Sequence, residues 1–319
     1  MSSRIVLAYT GSLQTSMAIH ALSEDAEVVT LTLDIGQGRD LQEVRDRALA
    51  TGAVRAHVLD VREEFAREFV LPALRAGALR HGGYPMGQML AWPLIARKLV
   101  DIATVEGASA VAHGCFDDDQ QRISTCIAAL DPVPVVAAGC RDVAQRAHEN
   151  LWGRARAAIG TWVEAPHSAT DLEITFEQGV PAAINGVPMP LIELIDSLSV
   201  IGGPHGVGWI EAARAEGEVG PGGDHAYEAT AAVVLHAARA ALDAALLPSD
   251  LLRLKQDRAT AYARLVSEGR WFTEGRDAID ALNVRMEENV TGSVRIKLFK
   301  GTLHTSEVVC VGHAEVSLP

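Results

Sequence analysis

The sequence predicts an α/β protein whose N-terminal part is a doubly wound, Rossmann-like parallel sheet and whose C-terminal part is a separate α+β domain. Three observations predict it. Short apolar runs alternate with amphipathic stretches as far as about residue 150, a small-residue loop joins the first run to the first amphipathic stretch, and hairpin turns replace the alternation after Glu164. The boundary is placed so that residues 1–163 form one domain and 164–319 the other. A chain of 319 residues exceeds the roughly 100–150 of a typical domain, so two are expected.

The first unit is Arg4 to Leu22, RIVLAYTGSLQTSMAIHAL. Ile5, Val6, Leu7 and Ala8 are an apolar run of the kind buried on both faces of a parallel sheet. Thr10-Gly11-Ser12 follows without a bulky side chain, so the turn is tight. Thr15 and Ser16 are read as caps of a helix whose apolar positions are Met17, Ala18, Ala21 and Leu22. That arrangement aims the first-turn N–H groups and the positive dipole end at the loop, where an anion fits.

Glu27 to Gly36 is a second strand, and Asp40 to Ala50 a helix with Leu41, Val44, Ala48 and Leu49 on one side and Gly52 past its end. A third strand covers Arg55 to Val61. Helices are expected over Arg62 to Gly77 and Gly87 to Gly107, and a fourth strand over Ala108 to Gly114. Asp34-Ile35-Gly36 and His113-Gly114 then lie at strand ends beside the first loop, where such sheets bind ligands. A helix over Asp117 to Leu130, a strand over Val133 to Ala138 and a short helical connection over Arg141 to Trp152 complete the domain.

Beyond the linker Glu164 to Ser168, Leu172 to Phe176 and Ala182 to Ile184 flank Gln178-Gly179, and Asn185-Gly186 forms the next turn. Helical periodicity marks Pro190 to Val200, Tyr227 to Leu246, Ser249 to Glu268 and Glu274 to Glu288. Ser293 to Phe299 and Glu307 to Val311 are closing strands, and Gly217 to Gly223 is a flexible loop. The alanines between Ala226 and Ala245 mark close helix packing.

Composition excludes several classes. Hydrophobic residues make up 48% and charged residues 22%, as in an ordinary globular protein. A net charge of −13 provides no basic stripe for nucleic acid, so a polyanionic ligand needs locally focused positive charge. No secretory leader or membrane span is expected, which places the chain in the cytoplasm. Cys115, Cys126, Cys140 and Cys310 show no C-x-x-C spacing and are read as free thiols, with no structural metal site.

The order Tyr9-Thr10-Gly11-Ser12-Leu13-Gln14-Thr15-Ser16 resembles the Y-S-G-G-L-D-T-S pyrophosphate loop of argininosuccinate synthases, within the N-type ATP pyrophosphatases. The resemblance continues through Asp34-Ile35-Gly36-Gln37, Arg62-Glu63-Glu64-Phe65, Ala91 to Val100, Ala112-His113-Gly114 and Asn150-Leu151-Trp152-Gly153. It resumes at Gly202 to Gly208, Tyr227-Glu228-Ala229 and Val290 to Gly301. By resemblance, this is an ATP-dependent ligase that activates the ureido oxygen of citrulline, releases pyrophosphate and lets the aspartate amine displace AMP. Ala8, Tyr9, Thr10, Gly11, Ser12, Gln14, Thr15, Ser16, Leu33 and Gly114 would face ATP. Tyr84, Phe116, Asp118, Asp119, Arg122 and Tyr227 would face an amino-acid or ureido substrate, with Asp119 and Arg122 catalytic. Mg²⁺ and a homo-oligomeric dimer or tetramer are implied too.

The departures are as specific as the matches. Ser12 replaces the loop's second glycine, and a positive φ there would cost a side chain about 1–2 kcal/mol. Gln14 replaces an aspartate, so the Mg²⁺ site is expected to be weakened. Where the family has A-H-G-x-T-G-K-G-N-D-Q-x-R-F-E, this chain has the shorter AHGCFDDDQQRIS. Phe116 stands at the threonine, the Gly-Lys pair is missing and Asp118 replaces an asparagine. That shifts the segment by about two charge units and opposes a second anionic amino acid. The family's T-S-x-A-R becomes Gln88-Met89-Leu90-Ala91-Trp92, a substrate serine becomes Ala155, and a segment holding another is abbreviated to Ala138 through Glu149. The Lys-Ser-Arg run beside Tyr227 becomes Gly222-Gly223-Asp224, the binding glutamate falls near Arg214 to Glu216, and the family's C-terminal helix is absent after Pro319. If Phe116, Met89 and Trp92 line the amino-acid pocket, leaving a substrate's polar group unpaired against them costs on the order of 1–3 kcal/mol. Each retained residue also has a plain structural alternative: Asp34 as a strand-end cap, Tyr84 and Tyr227 as packed aromatics, Arg122 as a surface charge.

Overall fold

The computed structural model describes residues 3–38, 40–80, 83–115, 117–138, 149–156, 165–211, 226–310 and 316–317. The chain divides into two compact units. The first comprises Met1–Phe65, Gln88–Asn150 and Leu265–Thr273, and the second Ala66–Gly87, Leu151–Arg264 and Glu274–Pro319.

The first unit holds five parallel strands, β1 (Arg4–Ala8), β2 (Glu27–Asp34), β3 (Arg55–Asp60), β4 (Ala110–His113) and β5 (Val135–Ala137), in the order β3-β2-β1-β4-β5. From β1 the chain winds outward to β2 and β3, then returns to place β4 on the other side of β1. The reversal leaves a crevice at the carboxyl ends of β1 and β4, where this topology binds ligands. Around the sheet lie α1 (Leu13–Leu22), α2 (Leu41–Thr51), α3 (Arg62–Phe65), α5 (Gly87–Glu106) and α6 (Asp117–Leu130). Ile5, Leu7, Tyr9, Ala110 and Ala112 form one core cluster with Ala18 and Ile19 of α1 and Val44 and Ala48 of α2. Asp40, expected as the first helical residue, instead caps α2, its carboxylate accepting from the N–H groups of Gln42 and Glu43, and Gly52 closes the helix at φ 115° as the sequence predicts.

Three local expectations are corrected. The cap of α1 is Ser12, not Thr15 or Ser16: its hydroxyl accepts from the Thr15 N–H at 3.1 Å, which puts Thr15 inside the first turn. The buried face of α1 is accordingly Thr15, Ala18 and Ile19, whereas Met17 is 65% exposed and Ala21 is exposed. The helix expected over Arg62 to Gly77 is α3, a π-helical turn at Ala66–Val70, and α4 (Leu71–Ala76) closed by Gly77 at φ 64°. Pro72 has no N–H to donate into the preceding turn, and the chain widens just before it.

In the second unit β7 (Thr170–Glu177), β8 (Val180–Ile184), β9 (Val187–Pro188), β12 (Gly292–Phe299), β13 (Thr302–Cys310) and β14 (Val316–Ser317) form an antiparallel sheet in the order β14-β13-β12-β7-β8-β9. Strict alternation buries Leu172, Ile174 and Phe176 of β7 and Val294, Ile296 and Leu298 of β12 on one face. The turns at Gln178-Gly179 and Asn185-Gly186 lie where the sequence puts them, with all four residues at positive φ. A smaller sheet runs β10 (Trp209–Glu211), β11 (Ala226–Glu228), β6 (Arg154–Arg156). Helices α7 (Leu191–Gly202), α8 (Thr230–Leu246), α9 (Ser249–Ser267) and α10 (Glu274–Glu287) complete the elements named here.

The helix expected from Tyr227 therefore starts later, at Thr230. Tyr227 instead pairs with Ile210 of β10 and Ala155 of β6, partners remote in sequence that local periodicity does not register. The expected helical connection ends in a turn at Leu151 and Trp152, residues 139–148 lying outside the described set, as do the expected loop Gly217 to Gly223, Val311 and Phe116.

A buried ionic network lies inside the second unit. Arg239 of α8 donates through Nε to Asp243 at 3.0 Å, through Nη2 to Glu287 at 2.6 Å and through Nη1 to the Gly179 carbonyl at 2.9 Å. Lys255 Nζ meets Asp243 at 2.6 Å, and Arg75 Nε lies 2.7 Å from Glu287. Burial pushes the Glu287 carboxyl up, against the pull of Arg239, Lys255 and Arg75. The hairpin turn is seated directly on this network, because a Cβ at Gly179 would overlap the Glu287 carboxylate and lie 2.6 Å from Arg239 Nη1.

Candidate nucleotide and substrate site

The loop between β1 and α1 is built by short side chains bonding to one another. The hydroxyls of Thr10, Ser12 and Thr15 lie within 3.0–3.3 Å of each other, and Thr15 is fully buried. Tyr9, also buried, places its hydroxyl 2.9 Å from Ser16 Oγ, and its backbone is held by the Leu31 carbonyl and by the Thr32 hydroxyl. The positive φ belongs to Gly11, at 76°, while Ser12 lies at φ −77° and ψ 164°. The strain anticipated at Ser12 is therefore absent, and the residue there acts as a helix cap. A Cβ at Gly11 would stand 3.0 and 3.1 Å from the two methyls of Val44. The loop thus keeps its backbone close against α2 and opens a helix whose first N–H groups have no intrahelical acceptor, which fits a phosphate.

The same observations test the groups the resemblance implies. A glycine with no room for a Cβ, a capped helix start and a topological switch point fit the phosphates of a nucleotide. They do not supply a protein carboxylate for Mg²⁺: Gln14 is an exposed amide, and among the described residues no group of three or more His, Cys, Asp or Glu side chains could hold a metal ion.

Asp34 and Leu33 end β2 in a turn closed by side chains. Asp34 Oδ1 accepts from the Gly36 N–H at 2.9 Å, and Gln37 accepts from Ile35 while donating to the Leu33 carbonyl. Asp34 caps the strand end, the plain structural alternative. At the end of β4, His113 is 4% exposed and burial lowers its pKa to about 4. Its Nδ1 accepts from the Cys115 N–H at 3.3 Å, which assigns the proton to Nε2, and Nε2 has no hydrogen-bond partner among the described residues. Gly114 follows and is buried.

Asp119 and Arg122, on α6, are brought together. Arg122 Nη1 donates to Asp119 Oδ1 at 2.7 Å, its Nε donates to the Ser267 carbonyl at 2.6 Å, and its Nη2 lies 3.4 Å from Asp118. Asp119 accepts two more bonds, from Gln88 Nε2 at 2.9 Å and from the indole N–H of Trp92 at 3.1 Å. Both carboxylate oxygens are thus engaged, and the donors include two of the residues that depart from the family motif. Trp92 is completely buried, and Met89 receives the Ser267 hydroxyl at its sulfur. Arg122 is therefore not a surface charge: it ties α6 to the C-terminal end of α9. A Cβ at Gly269 would lie 2.8 Å from the Arg122 Cα, and the Cys126 thiol donates to the Gly269 carbonyl.

Tyr84 and Tyr227 belong to the second unit and meet there edge to face, their ring centroids 5.0 Å apart at 73°. Tyr227 is 2% exposed, and a Cβ at Gly153 would overlap its ring, so the smallest residue is required opposite it. Burial, reinforced by Tyr84, pushes the Tyr227 phenol well above its ordinary range. Two features were missed from sequence. One is Arg47 of α2, whose Nη1 donates to the Gly11 carbonyl at 2.6 Å; its spacing of four from Glu43 was the available signal. The other is the bonding of Gln88 and Trp92 to Asp119: the resemblance marks both residues as departures from a family motif but gives no sign of this contact.

Comparison with known proteins matches residues 4–158 to an arginosuccinate synthase N-terminal HUP domain and residues 140–309 to an arginosuccinate synthase C-terminal domain. An argininosuccinate synthase of Symbiobacterium thermophilum is 39% identical over 97% of this chain and 87% of its own length. One of Oleidesulfovibrio alaskensis is 38% identical, covering 94% and 86%, and one of Bacillus thuringiensis 36%, covering 93% and 85%. With both family domains matched in order and relatives 36–39% identical along nearly its whole length, the chain belongs to the argininosuccinate synthase family.

Proposed function

We propose that the chain is an ATP-dependent, AMP- and pyrophosphate-forming carbon–nitrogen ligase whose amino-acid site takes a substrate other than citrulline or aspartate. The observation that carries this reading is the contrast between an ordered phosphate loop and an Asp119 carboxylate already holding three donors. The backbone of Thr10 to Ser16 binds the phosphates, with Leu33 and Gly114 beside the nucleotide. An acceptor oxygen attacks the α-phosphorus, pyrophosphate leaves, and an amine then displaces AMP. Asp118, Asp119, Arg122, Tyr84, Tyr227 and Phe116 face the small amino-acid or ureido substrates, residues 1–163 forming the nucleotide domain and 164–319 the synthetase domain of a homo-oligomer. Mg²⁺ would have to enter with the nucleotide, since the neutral Gln14 amide is a weak ligand for a hard cation.

The engagement of Asp119 favours a second reading, a protein that keeps the fold to bind nucleotide or a partner without ligation. A carboxylate and guanidinium satisfied by each other offer less to a substrate ammonium or carboxylate than an open pair. Pyrophosphate release from ATP and Mg²⁺, measured against a panel of amino acids and ureido compounds, separates the two. Release with a less polar partner than citrulline supports the ligase; ATP binding without release under any pairing supports the binding protein.

A further inference from the structure

We propose that Arg47 is a positioning residue of the phosphate loop, acting through the Gly11 carbonyl to turn the loop's N–H donors toward the nucleotide; this rests on the reading of the loop as a nucleotide site. Arg47 lies on α2, outside every family motif recognised in the sequence. Its Nη1 donates to the Gly11 carbonyl at 2.6 Å, and its Nη2 is held by Glu43, one turn earlier, at 2.5 Å. The contact is charge-assisted and short, the stronger class of hydrogen bond.

The carbonyl it grips matters for the loop's polarity. Gly11 is the residue at φ 76°, and its carbonyl precedes the helix, whose first bond runs from the Ser16 N–H to the Ser12 carbonyl. Left unbound, the Gly11 carbonyl adds a partial negative charge beside an anion site. A trans peptide points its C=O and N–H in opposite directions, so fixing the Gly11 oxygen on Arg47 fixes the Ser12 N–H on the other side. Val44, one turn before Ala48 on α2, sets its methyls 3.0 and 3.1 Å from where a Cβ on Gly11 would stand. Together the two α2 side chains determine both the position and the orientation of this peptide. In a chain of net charge −13, Arg47 also supplies positive charge at the loop.

Calorimetric titration of ATP and of inorganic pyrophosphate into wild type, Arg47→Met, Arg47→Lys and Glu43→Gln tests this. Arg47→Met is expected to weaken both ligands at least tenfold with its thermal midpoint near wild type, because the side chain is half-exposed. Arg47→Lys, which keeps a donor, is expected to recover most of the affinity, and Glu43→Gln to give a smaller loss. The Arg47→Met defect is expected to persist at about 1 M salt, where exposed charges act over only about 3 Å. Unchanged affinity in Arg47→Met, or a defect that disappears at high salt, overturns the positioning role. Should Arg47→Met fail to fold, unchanged affinity in Glu43→Gln overturns it instead. If wild type binds neither ligand, the nucleotide reading falls and takes this inference with it.

Discussion

Glu287→Ala is expected to cost about 3–5 kcal/mol of folding free energy, the scale for removing one partner from a buried ion pair. Glu287 is 2% exposed, accepts from Arg239 at 2.6 Å and has Arg75 Nε 2.7 Å away. Its loss leaves Arg239 and Lys255 with the single carboxylate of Asp243 and removes the carboxylate that Arg75 meets. The same change frees the turn at Gly179 from the carboxylate it rests on. Urea unfolding followed by circular dichroism measures the effect. Glu287→Gln is expected to lie between wild type and Ala, since one amide oxygen still accepts. A loss below about 1 kcal/mol, the range of an exposed pair, would mean that the network contributes no more than a surface salt bridge.

Gly11→Ala is expected to weaken ATP binding tenfold or more while leaving the sheet folded. Two costs add. A β-carbon at φ 76° is unfavourable by about 1–2 kcal/mol, and it meets Val44 at 3.0–3.1 Å, a contact that requires the valine to shift. The loop escapes both by leaving its native conformation, and apparent affinity falls by the fraction of molecules that do so. Val44→Ala in the same chain is expected to restore only part of the binding, because it removes the contact and not the dihedral cost. Full recovery in the double variant would assign the effect to crowding alone. Isothermal titration with ATP gives both answers.

The sequence reveals the first unit well because its signals are local. The apolar runs of β1, β2 and β4, Asp40 and Gly52 at the two ends of α2, and the turn pairs Gln178-Gly179 and Asn185-Gly186 each state their conformation within a few residues. The cap of α1 was not legible: local residue types point to Thr15 and Ser16, whereas the structure buries Thr15 in the first turn and caps the helix with Ser12. What could not be read depends on distant partners. Tyr227 is a strand residue because of Ile210 and Ala155, and the buried network joins residues 75, 239, 243, 255 and 287. The site divides in the same way. The loop between β1 and α1 lies in one contiguous stretch, whereas the engagement of Asp119 by Gln88 and Trp92 requires α5 and α6 side by side.

On the proposed reading, the nucleotide frame is kept while the amino-acid site is altered. Steady-state argininosuccinate production from ATP, Mg²⁺, citrulline and aspartate, quantified by mass spectrometry on purified protein that binds ATP by calorimetry, tests it most directly. The account predicts no detectable argininosuccinate, with ATP binding intact. Turnover comparable to ordinary metabolic enzymes, about 1 per second or faster, would contradict it and establish that Asp119, Arg122 and their neighbours serve the family's own substrates.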